Sequence, residues 1–444
     1  MTSESRQPSA RALSWWLALC FALYSAGIVI QLFPPQRGID FYHFWGIAAA
    51  HELAGDEDIG TPYVNGPRYA ALLNAVADAS QDRHLKQANG ERRSIDPTGT
   101  PFFYMCFAGL PADYSKAHSW FRGGQWLCLA IGLFWFARRV GVDSGLAALF
   151  ATAIPAFFYP FHSDLLVGNV NAYQLLACVA IVALAGAATA ARGLVSGSVL
   201  AAALVAFVVF KPNLAPISLV FLLALWNSLG LGRAFVAGLI GLAFGAVLVA
   251  ISSAYFGGLH AWSDWYAFLS GPTGSKVADY PVSDGNYAPS VVFVDRSTHP
   301  DYAALTYRVA LGIGVVLALS WCAALAVGRG GRRWIERLRE VAAQPELLMT
   351  SALLFTLAAS PLVWFHYCVL ALLPVAWCLR PGAHSAFRQV CGSASLVAYG
   401  CLLAPFLKSA GYELAAYGPY VAALAWLPMW AAVLVELARP RAAD

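Results

Sequence analysis

The sequence predicts an all-α polytopic membrane protein, a single integral membrane domain over residues 1–444, and three features predict it. Hydrophobic residues make up 59% of the chain and charged residues only 12%, roughly half the charge of a soluble globular chain. The mean hydropathy is +0.61, concentrated in runs approaching the ~20 residues that cross a bilayer as a helix. Between those runs lie two long polar stretches, 34–118 and 257–302.

Apolar runs bounded by Pro, Gly or charge give twelve spans: 12–33, 119–137, 144–160, 169–190, 193–210, 213–229, 233–256, 303–327, 346–362, 364–380, 387–407 and 416–438. The pair flanking Ser360 can also be read as one re-entrant unit, which lowers the count towards ten. The first run follows Arg6 and Arg11, as a signal peptide would, but it exceeds a typical signal core and Leu32-Phe33-Pro34-Pro35 is a poor cleavage site, so a first membrane helix is expected.

Lys and Arg near helix ends favour the cytoplasm. With the N-terminus inside, Arg138, Arg139, Arg192, Arg233, the cluster from Arg329 to Arg339, Arg380, Arg388, Arg439 and Arg441 all fall on the cytoplasmic side. The two long stretches become extracytoplasmic loops, expected to carry short helices, and the short turns at His162–Gly168, Lys211 and Leu362 share their side. Long structured loops rarely exist without a task.

Several classes are excluded early. Net charge is only +4 and no basic stripe is interleaved with aromatics, so nucleic acid is not an expected partner. Cys20, Cys128, Cys178, Cys322, Cys368, Cys378 and Cys401 lie within apolar runs and no CxxC pair occurs. With no HExxH and no DxD pair either, neither a metal site nor a cofactor is expected.

The residues able to do chemistry cluster on the outer side. Asp40 follows the first run within Arg37-Gly38-Ile39-Asp40-Phe41-Tyr42-His43-Phe44-Trp45. A carboxylate partly desolvated by rings is a better base, although Asp before a helix is also a common cap. Tyr42 and its neighbours offer rings on which a sugar could stack, or form an interfacial aromatic belt. Asn169 and Asn171 open an apolar helix with Gln174 one turn on, where amides are costly unless paired. Lys211 ends a helix on the outer side, against the positive-inside bias, where a compact cation suits a phosphate and snorkelling to the interface is the plain alternative. Trp364 and His366 lie in a predicted outer turn, and Asn286 sits in a turn-rich loop that could rim a site.

In this order the clusters resemble glycosyltransferase family 87, polyprenol-phosphate-mannose-dependent α-mannosyltransferases of the glycosyltransferase C superfamily. The carriers are Gly38-Ile39-Asp40-Phe41-Tyr42, Gly168-Asn169-Val170-Asn171, Lys211-Pro212, loosely Asn286 to Ser290, and Ser360-Pro361-Leu362-Val363-Trp364-Phe365-His366 followed by Leu372 to Pro374. The family's usual Gln is Asn169 here, and the residue before the His, often Asp, is Phe365. The resemblance implies a glycosyltransferase C type bundle of about 12 transmembrane helices in the cytoplasmic membrane with its site outside. It implies a polyprenyl-phosphate sugar donor entering from the membrane lipid and a lipid or glycan acceptor. It also implies Asp40 as base, Lys211 and His366 at the departing phosphate, and Asn169, Asn171 and Trp364 at the sugar. The alternatives are a lipid or sugar transporter, which should carry ionisable residues deep in its helices, and a structural membrane component of an envelope-assembly complex.

Overall fold

The computed structural model describes residues 38–55, 57–91, 94–95, 97–271, 285–292, 294, 301–330, 333–382, 385–400 and 418–439. The predicted first span, 12–33, lies outside them, as do 272–284 of the second long loop, 401–407 and 416–417. The first predicted loop carries α1 (Ile39–Ala54), α2 (Gly66–Ala79), α3 (Arg83–Glu91) and α4 (Pro101–Met105). Next come α5 (Tyr114–Arg139), α6 (Ser144–Phe157), α7 (Tyr159–Val167), α8 (Asn171–Ala191), α9 (Leu194–Phe210) and α10 (Ala215–Tyr255). The second loop holds α11 (His260–Ser270) and α12 (Pro289–Val292). Beyond it lie α13 (Tyr302–Gly328), α14 (Trp334–Ala342), α15 (Pro345–Ala359), a 3-10 segment at Phe365–Ala371, α16 (Leu372–Cys378), α17 (Ser385–Gly400), α18 (Gly418–Leu424) and α19 (Leu427–Ala438).

Among the described residues four stretches are long and apolar enough to cross a membrane: Asn171–Ala191, Pro212–Tyr255, Tyr302–Gly328 and Tyr420–Ala438. A fifth is added if Trp334–Ala342 and Pro345–Ala359, bent by 91°, form one broken span. The protein is on this ground a multi-pass membrane protein. Other predicted spans are shorter apolar helices, Ser144–Ala153, Leu194–Phe210 and Phe365–Cys378; the 17 residues of α9 rise only ~26 Å, short of a ~30 Å hydrocarbon core.

Within the 41 residues of α10, Gly230 is not helical (φ 72°, ψ 172°). Packing against α9 gives the consequence. Before Gly230, Ser218 donates to the Leu204 carbonyl at 3.1 Å and Leu229 packs on Gly197, so the first arm runs antiparallel to α9. After it, a Cβ at Gly241 would lie 2.9 Å from the Ala201 backbone and Gly245 faces Val205, so the second arm runs parallel to α9. The chain therefore reverses at Gly230, between the two predicted runs 213–229 and 233–256. Glycine is needed there because other side chains resist positive φ.

Several arginines tie one end of the bundle together. Arg139, ending α5, pairs with Glu346 at the start of α15 at 2.5 Å. Arg380 and Arg388 share Glu436 of α19 at 2.9 and 3.2 Å. Arg339 covers the Trp226 ring, and buried Arg337 donates to the Leu437 carbonyl at 2.6 Å. The opposite ends of α5, α8 and α9 and the end of α10 at Tyr255 meet the first loop, whose rings form a separate core around Phe41, Tyr42, Trp45, Phe103, Phe107 and Tyr114. Arg122 in α5 and Arg308 in α13 lie towards the other end.

The reversal at Gly230 has a direct check. With the nine native cysteines replaced, Ala201→Cys and Gly241→Cys together are expected to oxidise to an intrachain disulfide, read as linked peptides by mass spectrometry. Absence of the link in well-folded protein contradicts the reversed packing.

Candidate functional site

At the end of the bundle away from these arginine–glutamate pairs, four segments far apart in sequence converge. Asp40 stands in the first turn of α1, where helix-terminal N–H groups favour a negative charge. Gly38 precedes it in the left-handed region at φ 47°, and a Cβ there would lie 2.7 Å from His118 Nε2 and 2.9 Å from the Tyr114 hydroxyl. Asn169 follows Gly168, the αL residue (φ 70°) that ends α7. A Cβ on Gly168 would fall 2.5 Å from the Phe41 Cβ. Two glycines thus let the turn after α7 and the start of α1 come together.

Contact follows from that approach. Asn169 Nδ2 donates to Asp40 Oδ2 at 2.6 Å. Its Oδ1 accepts from its neighbour's N–H, that of Val170, at 2.7 Å and from Lys211 Nζ at 3.3 Å. One amide therefore bridges a carboxylate and an ammonium group. Lys211 is aimed there by its neighbour Pro212: a residue before proline is pushed out of the helical region, and Lys211 lies at φ −152°, ψ 100°. Its Nζ stands 5.3 Å from the Tyr367 ring centroid and 5.9 Å from that of Phe103, within cation–π range. Phe103 is held by Thr100, whose hydroxyl caps α4 and donates to the Val209 carbonyl at 2.8 Å.

His366 completes the group. Its Nε2, buried and without a hydrogen-bond partner among the described residues, is 3.8 Å from Asp40 Oδ2, with the Asp40 side chain 28% exposed. Asn286 holds the turn that presents it. Fully buried, Asn286 accepts from the Val363 and Ala288 N–H groups at 3.0 Å each and donates to the Pro361 carbonyl at 3.1 Å. Trp364 pairs with it in an isolated antiparallel bridge.

The expected site residues thus divide. Asp40, Asn169, Lys211 and His366 come together, with Trp364 two residues from the histidine. Asn286 acts on the turn's backbone. Asn171 is fully buried and donates to Asp164 Oδ1 at 2.7 Å; Gln174 is buried with it, so this polar face points into the protein. Tyr42 is buried, its hydroxyl donating to Asn89 at 2.6 Å. Two residues along a helix is a rotation of about 200°, which turns Tyr42 away from Asp40.

Asp164 and Gln125 join the cluster unforeseen as site residues. Asp164 is completely buried, and Gln125 Nε2 donates to its Oδ2 at 3.1 Å and to the Asn169 carbonyl at 2.6 Å. Burial pushes the Asp164 carboxyl up to about 8, against the bonds from Asn171 and Gln125 and the field of Lys211. Burial likewise pulls the Lys211 ammonium down to about 8, opposed by Asp40 and Asp164. A lone Gln in the apolar run 119–137 was the sequence signal for Gln125.

Among the described residues no group of three or more His, Cys, Asp or Glu could hold a metal ion. Compared with models of known families, with curated proteins and with solved structures, the chain has no match.

Gly168→Ala is expected to cost about 1–3 kcal/mol, through strained backbone and the Phe41 contact, read as a lowered unfolding midpoint in detergent. A midpoint equal to the parent's contradicts the close approach.

Proposed function

We propose that the protein is a membrane glycosyltransferase of the glycosyltransferase C type, resembling family 87, that transfers a hexosyl group from a polyprenyl-phosphate donor to a lipid or glycan acceptor of the cell envelope. The observation that carries this reading is the meeting of Asp40, Asn169, Lys211 and His366 at the end of the bundle opposite the arginine–glutamate pairs. On this reading the chain has about 12 transmembrane helices in the cytoplasmic membrane, and the site faces outward. Mannose is the first sugar to test.

The chemistry needs a base beside an anion site, and the four residues have those types. Asp40, partly exposed and steadied by Asn169, takes the proton of the acceptor hydroxyl. That oxygen attacks the anomeric carbon as the bond to the phosphate oxygen breaks, in one in-line displacement that inverts configuration. A β-linked mannosyl donor gives an α product. Lys211 and His366 receive the departing polyprenyl phosphate, His366 by donating from the ring nitrogen that faces the carboxylate. On this reading Trp364 holds the sugar. A phosphate is already a good leaving group, so this chemistry asks for no further electrophile.

The test is transfer of radiolabelled mannose from synthetic polyprenyl-phosphate-mannose to lipid extract of the source cells by purified protein. Asp40→Asn keeps the shape and removes the base, and is expected to lower turnover by about 10²–10⁴-fold with folding intact. Near-parent turnover in Asp40→Asn sinks the assignment of the base. Lys211→Ala is expected to raise the KM for donor by about tenfold, the equivalent of ~1.4 kcal/mol, with the fold kept.

The lowered Lys211 ammonium adds a pH signature. A cation with its midpoint near 8 is charged below that pH and neutral above it, so donor affinity should hold from pH 6 to 7.5 and fall through pH 8–9. Donor KM measured across that range checks it; a KM flat to pH 10 removes Lys211 from phosphate binding.

A further inference from the structure

At the end of the bundle closed by the arginine–glutamate pairs, α14 lies across the spans. The chain turns by 91° between α14 and α15, and two spans end against α14 while a third reverses beside it. Buried Arg337 donates to the Leu437 carbonyl at 2.6 Å and to the Arg439 carbonyl at 3.1 Å, which pins α14 to the end of α19. A Cβ on Gly328, the last residue of α13, would lie 2.9 Å from Arg337 Nη2. Arg339 stands 5.5 Å from the centroid of the Trp226 ring, in the last turn of α10 before Gly230. Hydrocarbon gives way to headgroups where apolar spans end, so α14 sits at that level.

The surface that α14 presents there combines two kinds of group. Val341 and Ala342 are buried against the bundle, whereas Trp334 and Ile335 at the start of the helix are 41% and 47% exposed. Arg329, Arg333 and Arg339 are exposed as well, and Arg339 follows Ile335 by one helical turn, which puts the two side by side. Among the described residues the ion pair of this segment belongs to Arg337, with Glu340 at 2.7 Å, and the other three arginines have no carboxylate partner. The exposed acid, Glu336, is taken up in capping, accepting from the Arg333 N–H at 3.3 Å. Three guanidinium groups therefore surround two large apolar side chains with one carboxylate among them. Guanidinium groups match phosphate oxygens in pairs, and a basic helix carrying Trp at the membrane surface binds through burial of its apolar groups and attraction to anionic lipid together.

We propose that the start of α14, with Arg329 at the end of α13, is a binding site for anionic phospholipid. Arg329, Arg333 and Arg339 hold the phosphate headgroups, and Trp334 and Ile335 rest among the upper acyl chains. The site lies at the opposite end of the bundle from Asp40 and Lys211, and it does not depend on the transfer reaction.

The experiment places a reporter at the site in full-length protein. With the native cysteines replaced, Ile335→Cys is labelled with bimane and the protein is reconstituted into phosphatidylcholine vesicles. Brominated phosphatidylglycerol or brominated phosphatidylcholine is then added at equal mole fraction. Brominated phosphatidylglycerol is expected to quench at least about twofold more strongly, and the ratio to fall towards one in concentrated salt, which screens exposed charges. Arg329→Gln, Arg333→Gln and Arg339→Gln together should bring the ratio to near one at low salt. If the triple variant does not fold, each single variant is expected to lower the ratio part of the way. Arg68→Gln, on the first loop, should leave it at the parent's value. A parent ratio near one, or a raised ratio that survives loss of the arginines, overturns the proposal. A label shielded from both lipids also overturns it, since a protein surface, such as a second copy of the chain, then covers this face.

Discussion

A single side-chain amide organises this end of the molecule. Asn169 donates from Nδ2 to Asp40 and accepts at Oδ1 from Lys211, and the reverse orientation would set a donor against an ammonium and an acceptor against a carboxylate. The amide has both functions and no net charge, so it can join opposite charges without adding one. An aspartate there would place a second carboxylate against Asp40 and force the two to share a proton.

Everything around that amide serves to place it. Gly168 and Gly38 allow the close approach of two backbones, Pro212 turns Lys211 out of its helix, and Asn286 fixes the turn carrying His366. These devices come from segments more than 300 residues apart in sequence, from Gly38 to His366. They are held in register by a bundle whose far end is tied by arginine pairs to Glu346 and Glu436. The membrane supports this arrangement by excluding water from the helix faces while leaving both ends wet.

Much of this was legible in the sequence. Apolar runs coincide with the four or five candidate spans, and the reversal at Gly230 falls where two runs are separated by Gly-rich sequence. The convergence of Asp40, Asn169, Lys211 and His366 was suggested by their shared side. A run of aromatic residues does not show which ring faces a site, and the helical turn from residue 40 to 42 sends the Tyr42 ring inward. Asn171 and Asn286 read as ligand-facing amides, since a sequence does not tell a polar group that meets a ligand from one that satisfies a buried carboxylate or backbone. Asp164 was visible as a residue but its role depends on Gln125, 39 positions earlier. Spans such as 193–210 are present as helices, but 17 residues is too short for length and composition alone to establish a crossing.

The most direct test of the account is an experimental structure of the full chain in lipid with a polyprenyl phosphate bound. The phosphate should rest on Lys211 Nζ and His366 Nε2, with Asn169 still bridging to Asp40 and the Asp40 carboxylate open to the aqueous side. A phosphate bound elsewhere, with Asp40 and Lys211 lining separate spaces, would contradict the claim that this cluster is one site.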